Sequence, residues 1–316
     1  MEKTENPDES KIVVIGSIGN DEKITLDEIP EIGKTKTVNI DYGLGGKGNI
    51  EAVACARTDG DTTFIGACGE RDYENYIKHF ENEHIKPILK KVTNVPSHTA
   101  CILIDKEGKH RIVVDPRAGN SLDKNFIKKN IEIINKSSFI LLQLEINFQT
   151  VEYVIENFKN EKNIILRPSP ISHLDKLRKM IKNISYLISN EVELSQISGE
   201  EIKTKEQIET ACDKVMKLYK PKNIIVPLFN DGWLLWNEKG KKNFNSYDVG
   251  PIVDKVGSMD CFIGVFASFL SRDYDVDDSI KYAILAYNIC CTRVGTIPSL
   301  PIGNNLMNLS NKISNW

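Results

Sequence analysis

Short apolar runs rich in β-branched residues alternate through much of the chain with longer segments in which apolar residues recur at helical spacing. The runs are typical of strands buried in a parallel sheet, and the longer segments are typical of crossover helices. Predicted strands lie near residues 11–17, 62–67, 138–144, 163–167, 184–188 and 223–228, and predicted helices near 72–84, 148–159, 173–182, 204–219 and 275–293. We therefore expect an α/β fold with a mainly parallel sheet.

Two segments depart from this alternation. The first, residues 23–41, contains short alternating stretches interrupted by proline and glycine. The second pairs residues 99–105 and 110–115 as a hairpin around a polar turn. Both predict small strands outside the main sheet, which would form a lid from about residues 20–42 and 98–115.

The segment from Val253 to Leu270 predicts an anion site. A Gly257-Ser258 turn leads into a nearly unbroken apolar helix, so the start of this helix should be buried. The first amides of a helix have no intrahelical partner and lie at the positive end of its dipole, where a phosphate can bind. Asp260 lies in this first turn. It could cap the helix, which the segment alone favours, or take a proton from an attacking hydroxyl group.

A glycine-rich stretch, Gly43-Leu44-Gly45-Gly46-Lys47-Gly48-Asn49, precedes a helix of small residues. Four glycines in six positions let the backbone approach a ligand closely. The stretch alone does not distinguish such a site from a flexible turn. It is not a Walker loop, because Lys47 is followed by Gly48 rather than by serine or threonine.

Polar residues at strand ends supply further ligand candidates. Asp21 follows the strand at 11–17, and Glu145 ends the strand at 138–144, although solvation at the surface would explain Glu145 equally well. Asn190 and Glu193 lie three residues apart where a helix begins. They could hold a hydrated Mg²⁺ from one helix face, but the spacing alone favours a capping box.

Composition narrows the classes of partner. A 316-residue chain with 41% hydrophobic residues can bury a sizeable core. Its net charge is -3, without a basic block, so we expect no nucleic-acid partner. No apolar run is long enough to span a membrane, and residues 1–10 read as a polar disordered tail before one domain of residues 11–316, so we expect a cytoplasmic protein. The seven cysteines form no C-x-x-C pair and are interpreted as buried free thiols rather than disulfides or zinc ligands.

The order of these motifs from about Lys11 to Pro301 resembles the ribokinase-like family of sugar and nucleoside kinases. The motifs that carry the resemblance are Gly16-Ser17-Ile18 with Asp21, Gly45-Gly46-Lys47-Gly48, Leu141-Leu142-Gln143-Leu144-Glu145, Asn190 with Glu193, Gly257 with Asp260, and Thr292-Arg293 with Gly295. The resemblance implies a three-layer α/β sandwich with a mainly parallel central sheet and a small β-sheet lid, through which two subunits often join. A homodimer through the lid is therefore expected.

The resemblance also implies transfer of the γ-phosphoryl group of ATP to a hydroxymethyl group. Asp260 would be the base, and the amides of Gly257, Ser258, Met259 and Asp260 would form the anion hole. On the sugar side the resemblance implies Asp21, Gly45, Gly46, Lys47, Gly48 and Glu145. The run Gln143-Leu144-Glu145 favours the ribose-phosphorylating members, and hence D-ribose with its 5-hydroxyl as acceptor.

For the nucleotide and its cations, the resemblance implies Asn190 and Glu193 beside phosphate and Mg²⁺, the metal being held through water. Leu228, Phe229 and Asn288 would line the nucleotide site. Asp254 would belong to a monovalent-cation site, so that K⁺ would be a further cofactor.

Several functional positions depart from the family pattern. Met259 replaces the anion-hole glycine, and if that position needs a glycine-type backbone angle, a side chain there costs about 1–3 kcal/mol. On the sugar side, Ile50 and Gly19 stand where the family has asparagines, and Asn49 lies one position before the expected place. On the nucleotide side, Phe229 and Tyr287 replace small residues. Lys255 replaces a threonine, and our hypothesis is that its ammonium replaces the monovalent cation.

Two functional hypotheses follow. The first is an active Mg·ATP-dependent pentose kinase, supported by the presence of Asp260, Asn190 and Glu193. The second is a catalytically impaired relative with a binding or regulatory role, supported by Met259 and Phe229. A kinase for a different pentose or a nucleoside would explain the altered sugar contacts but not Met259.

Overall fold

The computed structural model describes residues 11–28, 30–105, 110–229 and 231–311. Within these residues the chain forms thirteen strands. The strands are β1 (Ile12–Ile15), β2 (Gly19–Leu26), β3 (Ile40–Gly45), β4 (Thr62–Gly69), β5 (Lys86–Val92), β6 (His98–Asp105), β7 (His110–Asp115), β8 (Phe139–Leu142), β9 (Asn163–Leu166), β10 (Tyr186–Ile188), β11 (Asn223–Pro227), β12 (Trp233–Asn237) and β13 (Gly240–Phe244).

The described residues also form eleven α-helices. The helices are α1 (Lys47–Arg57), α2 (Tyr73–Asn82), α3 (Lys124–Lys129), α4 (Ile131–Lys136), α5 (Phe148–Phe158), α6 (Leu174–Met180), α7 (Glu191–Ser198), α8 (Lys205–Tyr219), α9 (Ser258–Ser271), α10 (Val276–Cys291) and α11 (Gly303–Ser310). In the described part of the chain, none of the helices has the length and apolar character required to cross a bilayer.

The large sheet has nine strands in the order β13-β12-β11-β10-β9-β8-β1-β4-β5. All of its strand pairs are parallel except two at one edge, β11 with β12 and β12 with β13, which are antiparallel. The predicted α/β class is confirmed. The strand order reverses at β1, which lies between β8 and β4, and ligands of such sheets bind beyond the carboxyl ends of the strands at this point.

Three strands of the large sheet were not predicted. β5 carries lysine at Lys86, Lys90 and Lys91, a pattern that protects an exposed edge but hides the strand from a search for apolar runs. The hairpin of β12 and β13 combines a short apolar strand with a polar one. The edge strands are therefore the strands of this sheet that are hardest to predict from the sequence.

The small sheet has four strands in the order β3-β2-β6-β7. β2 pairs in parallel with β6 and antiparallel with β3, and β6 pairs antiparallel with β7. These are the lid strands expected from the sequence. The expected disordered tail at residues 1–10 and the hairpin turn at residues 106–109 lie outside the described residues.

Two apolar layers enclose the large sheet. Helices α1, α2, α9, α10 and α11 pack on one face, and α3 to α8 pack on the other. In the first layer Phe262 stacks on Trp233 of β12 with ring centroids 4.1 Å apart. All seven cysteines are free, and all but Cys101 are buried, as predicted. This packing fixes the start of α9 in the middle of the molecule.

Candidate active site

A cavity of about 400 Å³ lies between the carboxyl edge of the large sheet and the small sheet. Apolar residues of the small sheet form one wall, namely Ala100, Ile102, Ile112 and Val114. The sequence-predicted residues that line the cavity are Asp21, Gly46, Lys47, Glu145, Asn190, Phe229, Gly257, Ser258, Met259 and Asp260. Because the carboxyl ends of parallel strands meet at one edge, residues distant in sequence converge there.

The start of α9 has the geometry of an anion site. Gly257 is the N-cap and has a φ of 81°, in the left-handed region that glycine adopts without strain. Met259 follows as a helical residue within α9 and is not among the residues of positive φ, so this position does not need a glycine-type backbone angle and carries no such strain. The Met259 side chain lines the cavity and is mostly buried. It therefore affects the space available to a phosphate rather than the backbone angle.

Asp260 is buried in the first turn of α9, where its Oδ1 accepts a hydrogen bond from the Arg167 guanidinium. Burial raises the pKa of Asp260, whereas the positive charges of Arg167 and Lys47 act in the opposite direction. Gly257, rather than Asp260, occupies the N-cap position. Since the ion pair uses Oδ1, Oδ2 is the oxygen with which Asp260 could accept a proton.

Sequence reasoning missed Arg167, which follows β9 directly. Its guanidinium binds Asp260, and its Nη2 lies 3.8 Å from Oε1 of Glu193. The same rule that singled out Glu145, a charged residue at the carboxyl end of a parallel strand, applies to Arg167 as well. His98 of β6 was also missed; it is buried against the cavity, its Nε2 lies 3.9 Å from Glu145, and burial lowers its pKa.

Glu145 anchors the glycine-rich stretch to the sheet. Its Oε2 accepts hydrogen bonds from the Ser17 hydroxyl at 2.6 Å and from the Lys47 amide at 2.9 Å, and its Oε1 accepts one from Lys47 Nζ at 2.7 Å. Burial raises the pKa of Glu145. The interactions with Lys47 and His98, together with the side-chain hydrogen bonds from Lys47 and Ser17, outweigh burial and lower this pKa to about 2. Glu145 is therefore ionised at neutral pH, and the stretch from Gly45 to Gly48 is held in place rather than being a flexible turn.

Asp21 lies on β2, on the lid side of the same cluster. It is 4% exposed, and its Oδ2 lies 3.4 Å from the Thr296 hydroxyl. Burial raises the pKa of Asp21 to about 6; Lys23 and Lys47 lower it, and the charge of Glu145 adds to the increase. Asp21 therefore titrates near neutral pH, whereas Glu145 does not.

Asn190 and Glu193 form the capping box that their spacing favoured. The Asn190 side chain accepts from the Glu193 amide at 2.7 Å, and Glu193 Oε2 accepts from the Asn190 amide at 2.9 Å. Glu193 Oε1 is outside this box and lies near Arg167. The described residues contain no group of three or more side chains that could hold a metal by themselves. Mg²⁺ usually keeps several waters and takes one or two carboxylates, so Oε1 of Glu193, which the capping box does not use, fits such an ion.

The expected nucleotide residues lie in different environments. Phe229 lines the cavity and is 45% exposed, and Tyr287 also lines it. Leu228 is instead fully buried in the apolar layer. The Asn288 amide donates to the Ser246 hydroxyl and to the Tyr247 carbonyl. These bonds connect helix α10 to the segment that precedes α9. Of these residues, Phe229 and Tyr287 are therefore the ones that shape the cavity.

The altered sugar-side positions have structural explanations. Asn49 is fully buried, where it donates to the Gly45 carbonyl and its Oδ1 lies 2.8 Å from Nε2 of His79. Ile50 lines the cavity in place of a polar side chain. A Cβ at position 19 would lie 2.1 Å from the His98 carbonyl oxygen, so the close pairing of β2 with β6 requires Gly19. An asparagine cannot be accommodated there.

Asp254 does not fit a monovalent cation. Its Oδ2 lies 3.2 Å from Lys23 Nζ and accepts from the Gly295 amide at 3.2 Å, while Oδ1 accepts from the Val256 amide at 2.9 Å. The cation charge beside Asp254 thus comes from Lys23 of the small sheet, and the hypothesis that assigned it to Lys255 is corrected. Lys255 lines the cavity itself.

A buried acid–amide pair lies behind Asp260. Glu51 of α1 is fully buried and accepts a hydrogen bond from the Gln143 amide, while Oε1 of each residue has no partner. A proton on Oε1 of Glu51 would turn one of these two unpartnered acceptors into a donor. Burial, together with the charge of Asp260, raises the pKa of Glu51 well above its usual value, against the effects of Arg167 and Lys47. Burial therefore favours the neutral, protonated form of Glu51.

Replacing Glu51 with glutamine is expected to stabilise the protein increasingly as pH rises from about 5 to 8. The wild-type chain must keep Glu51 protonated in the folded state above the pH at which the unfolded chain loses that proton, so its stability falls with pH, whereas glutamine carries no such cost. Thermal unfolding across this pH range measures the difference, with exposed Glu156→Gln as the control. Equal pH dependence of Glu51→Gln and the wild type would contradict a neutral Glu51.

Comparison with known proteins agrees with this geometry. A family model described as pfkB family carbohydrate kinase matches residues 9–303. The chain is 29% identical to a ribokinase of Dictyostelium discoideum, covering 94% of this chain and 99% of the relative. It is 28% identical to a deoxyribokinase of Salmonella typhi, covering 92% and 95%. The solved structure of Arabidopsis thaliana ribokinase complexed with ribose and ATP superposes with a TM-score of 0.84 at 25% identity, covering 95% and 98%.

Proposed function

Because the chain belongs to the pfkB family of carbohydrate kinases, we propose that it transfers the γ-phosphoryl group of ATP to the 5-hydroxyl of D-ribose, with Asp260 as the base. It is a phosphotransferase with an alcohol group as acceptor. The observation that carries the finer proposal is that Asp260, Lys47 and Glu145 line one cavity at the start of α9. The sugar relatives and the ribose-bound structure of the Arabidopsis protein support ribose as the acceptor.

The proposed reaction divides the cavity into two halves. Asp21 and the Lys47–Glu145 pair bind and orient the sugar, which the small sheet shields from water. Oδ2 of Asp260 takes the proton of the attacking hydroxyl, and the amides at the start of α9 receive the developing negative charge of the phosphoryl group. Phosphoryl transfer needs mainly positioning and charge compensation, which this arrangement supplies.

We also propose that Asn190 and Glu193 hold Mg²⁺ through water. The ion would neutralise part of the phosphate charge. On the nucleotide side, Asn190, Phe229 and Tyr287 would contact ATP. The outer surface of the small sheet exposes Tyr42 and Val113, at 74% and 68%, which supports a homodimer through the lid.

The test is ADP release from Mg·ATP in the presence of D-ribose and, separately, of 2-deoxy-D-ribose. Asp260→Ala serves as the blank, and circular dichroism shows that it is folded. Turnover that requires ribose and disappears in the variant supports the proposal. Faster turnover with 2-deoxy-D-ribose would identify that sugar, rather than ribose, as the acceptor. The activity is expected to be independent of K⁺, because Lys23 already supplies a positive charge at Asp254.

A catalytically impaired binding protein is the second candidate. The observation in its favour is that the side chains of Met259, Phe229 and Tyr287 line the space that a nucleotide would use. Folded protein that binds sugar or nucleotide but releases no ADP with a panel of pentoses and nucleosides would favour it over an active kinase.

The affinity for the sugar is expected to depend on the ionisation of Asp21. With a pKa of about 6, Asp21 is ionised at pH 7 but mostly protonated at pH 5, where it has lost its negative charge and one oxygen has become a donor. The KM for ribose should therefore rise by up to about tenfold from pH 7 to pH 5. Asp21→Asn should have a raised KM that changes little over this range; a KM of the wild type that is constant with pH would contradict the role of Asp21.

A further inference from the structure

We propose that Arg167 binds an oxygen of the phosphoryl group that is transferred. The proposal rests on the proposed function, because it assumes that ATP enters the cavity. Arg167 belongs to none of the motifs that carry the family resemblance. It follows β9 directly, and its side chain lines the cavity.

The hydrogen bonding of Arg167 is incomplete. The residue is 9% exposed, its Nη1 donates to Asp260, and its Nη2 lies 3.8 Å from Glu193. Its Nε is buried and has no partner in the described part of the chain. Buried donors are nearly always hydrogen-bonded, so this N–H calls for an acceptor that enters with a ligand.

The location of Arg167 indicates which ligand oxygen this is. Asp260 lies in the first turn of α9 and Glu193 in the first turn of α7, so the guanidinium lies between two helix N-termini, where anions bind. A guanidinium also matches phosphate oxygens with a planar fork of donors. The sugar-side cluster around Glu145 has its own cation in Lys47. Arg167 therefore lies on the phosphate side of the cavity.

The arrangement also explains how Met259 can be tolerated. The Met259 side chain lines the cavity at the start of α9, and the guanidinium that follows β9 would compensate for the phosphate-binding space that this side chain takes. By holding Asp260 with Nη1 while Nε binds the phosphoryl group, Arg167 would bring the base and the group under transfer into one geometry. This is positioning combined with charge compensation.

The experiment compares the affinity for ATP with that for ADP in an Asp260→Asn background, which removes turnover from the measurement. Calorimetry with Mg²⁺ should give about tenfold or more tighter binding of ATP in Asp260→Asn, as expected for a charge-assisted hydrogen bond to the γ-phosphate. In Asp260→Asn/Arg167→Gln, which removes both members of the ion pair, ATP and ADP should bind equally within about twofold. The matched control is Asp260→Asn/Arg71→Gln, since Arg71 is exposed.

Retained preference for ATP in Asp260→Asn/Arg167→Gln would overturn the proposal, as would equal binding of ATP and ADP by Asp260→Asn itself. If the glutamine variant does not fold, Asp260→Asn/Arg167→Lys replaces it: an intermediate preference is expected, and an undiminished one would overturn the role of the guanidinium. Failure of the proposed function is distinguishable, because it would appear as absence of sugar-dependent ADP release while the Arg167-dependent preference for ATP persists.

Discussion

Replacement of Asp260 by asparagine is expected to lower kcat for ribose-dependent ADP release by about 10²- to 10⁴-fold, the range that a positioned general base contributes. The amide has nearly the same size but accepts no proton. KM for ribose should change little, because the sugar is held mainly by the cluster around Glu145. A coupled assay of ADP release measures both constants.

The control for this variant is Asp61→Asn, which changes an exposed aspartate in the same way. Thermal unfolding distinguishes loss of the base from loss of the fold. We expect the variant to remain folded, because Glu193 still places a negative charge 3.8 Å from the Arg167 guanidinium. A variant that remains folded and turns over at the wild-type rate would refute Asp260 as the base. Loss of kcat with unchanged KM would instead place its effect in the chemical step.

Much of the site follows from where strands end. Glu145 and Asn190 were found as polar residues after apolar runs, and parallel pairing brings the ends of those runs together at one edge. The fold class follows from the same runs, because a strand buried on both faces must be apolar throughout. Edge strands such as β5, half exposed and carrying lysines, do not give this signal.

The remaining features depend on contacts across the fold. Lys255 is next to Asp254 in sequence, but the small sheet brings Lys23 to it instead, from 231 positions away. Whether Met259 has a strained backbone depends on the residue at which α9 begins, and the turn is completed at Gly257. The capping box of Asn190 and Glu193 and the proposed contact with Mg²⁺ use different oxygens of Glu193, which the spacing of the two residues does not reveal.

Replacement of Glu145 by alanine is expected to raise the KM for ribose by about 100-fold or more and to lower the free energy of unfolding by about 3–5 kcal/mol, the cost of breaking a buried ion pair. Glu145 satisfies the Ser17 hydroxyl, the Lys47 amide and the Lys47 ammonium at once. Its removal leaves a buried ammonium without its counter-ion and releases the glycine-rich stretch that borders the sugar, so two effects combine. Each hydrogen bond to a charged group accounts for about 1.5–3 kcal/mol.

Glu145→Gln separates these two effects, because the amide keeps the shape of the side chain but not its charge. We expect it to retain more stability than Glu145→Ala while still raising KM by about tenfold, since Lys47 loses the carboxylate that orients it. Urea unfolding and ribose kinetics measure the two quantities, with exposed Glu156→Ala as the control. If Glu145→Ala kept the KM of the wild type, the cluster would be a structural anchor only, and the sugar would have to be held by Asp21 and the small sheet.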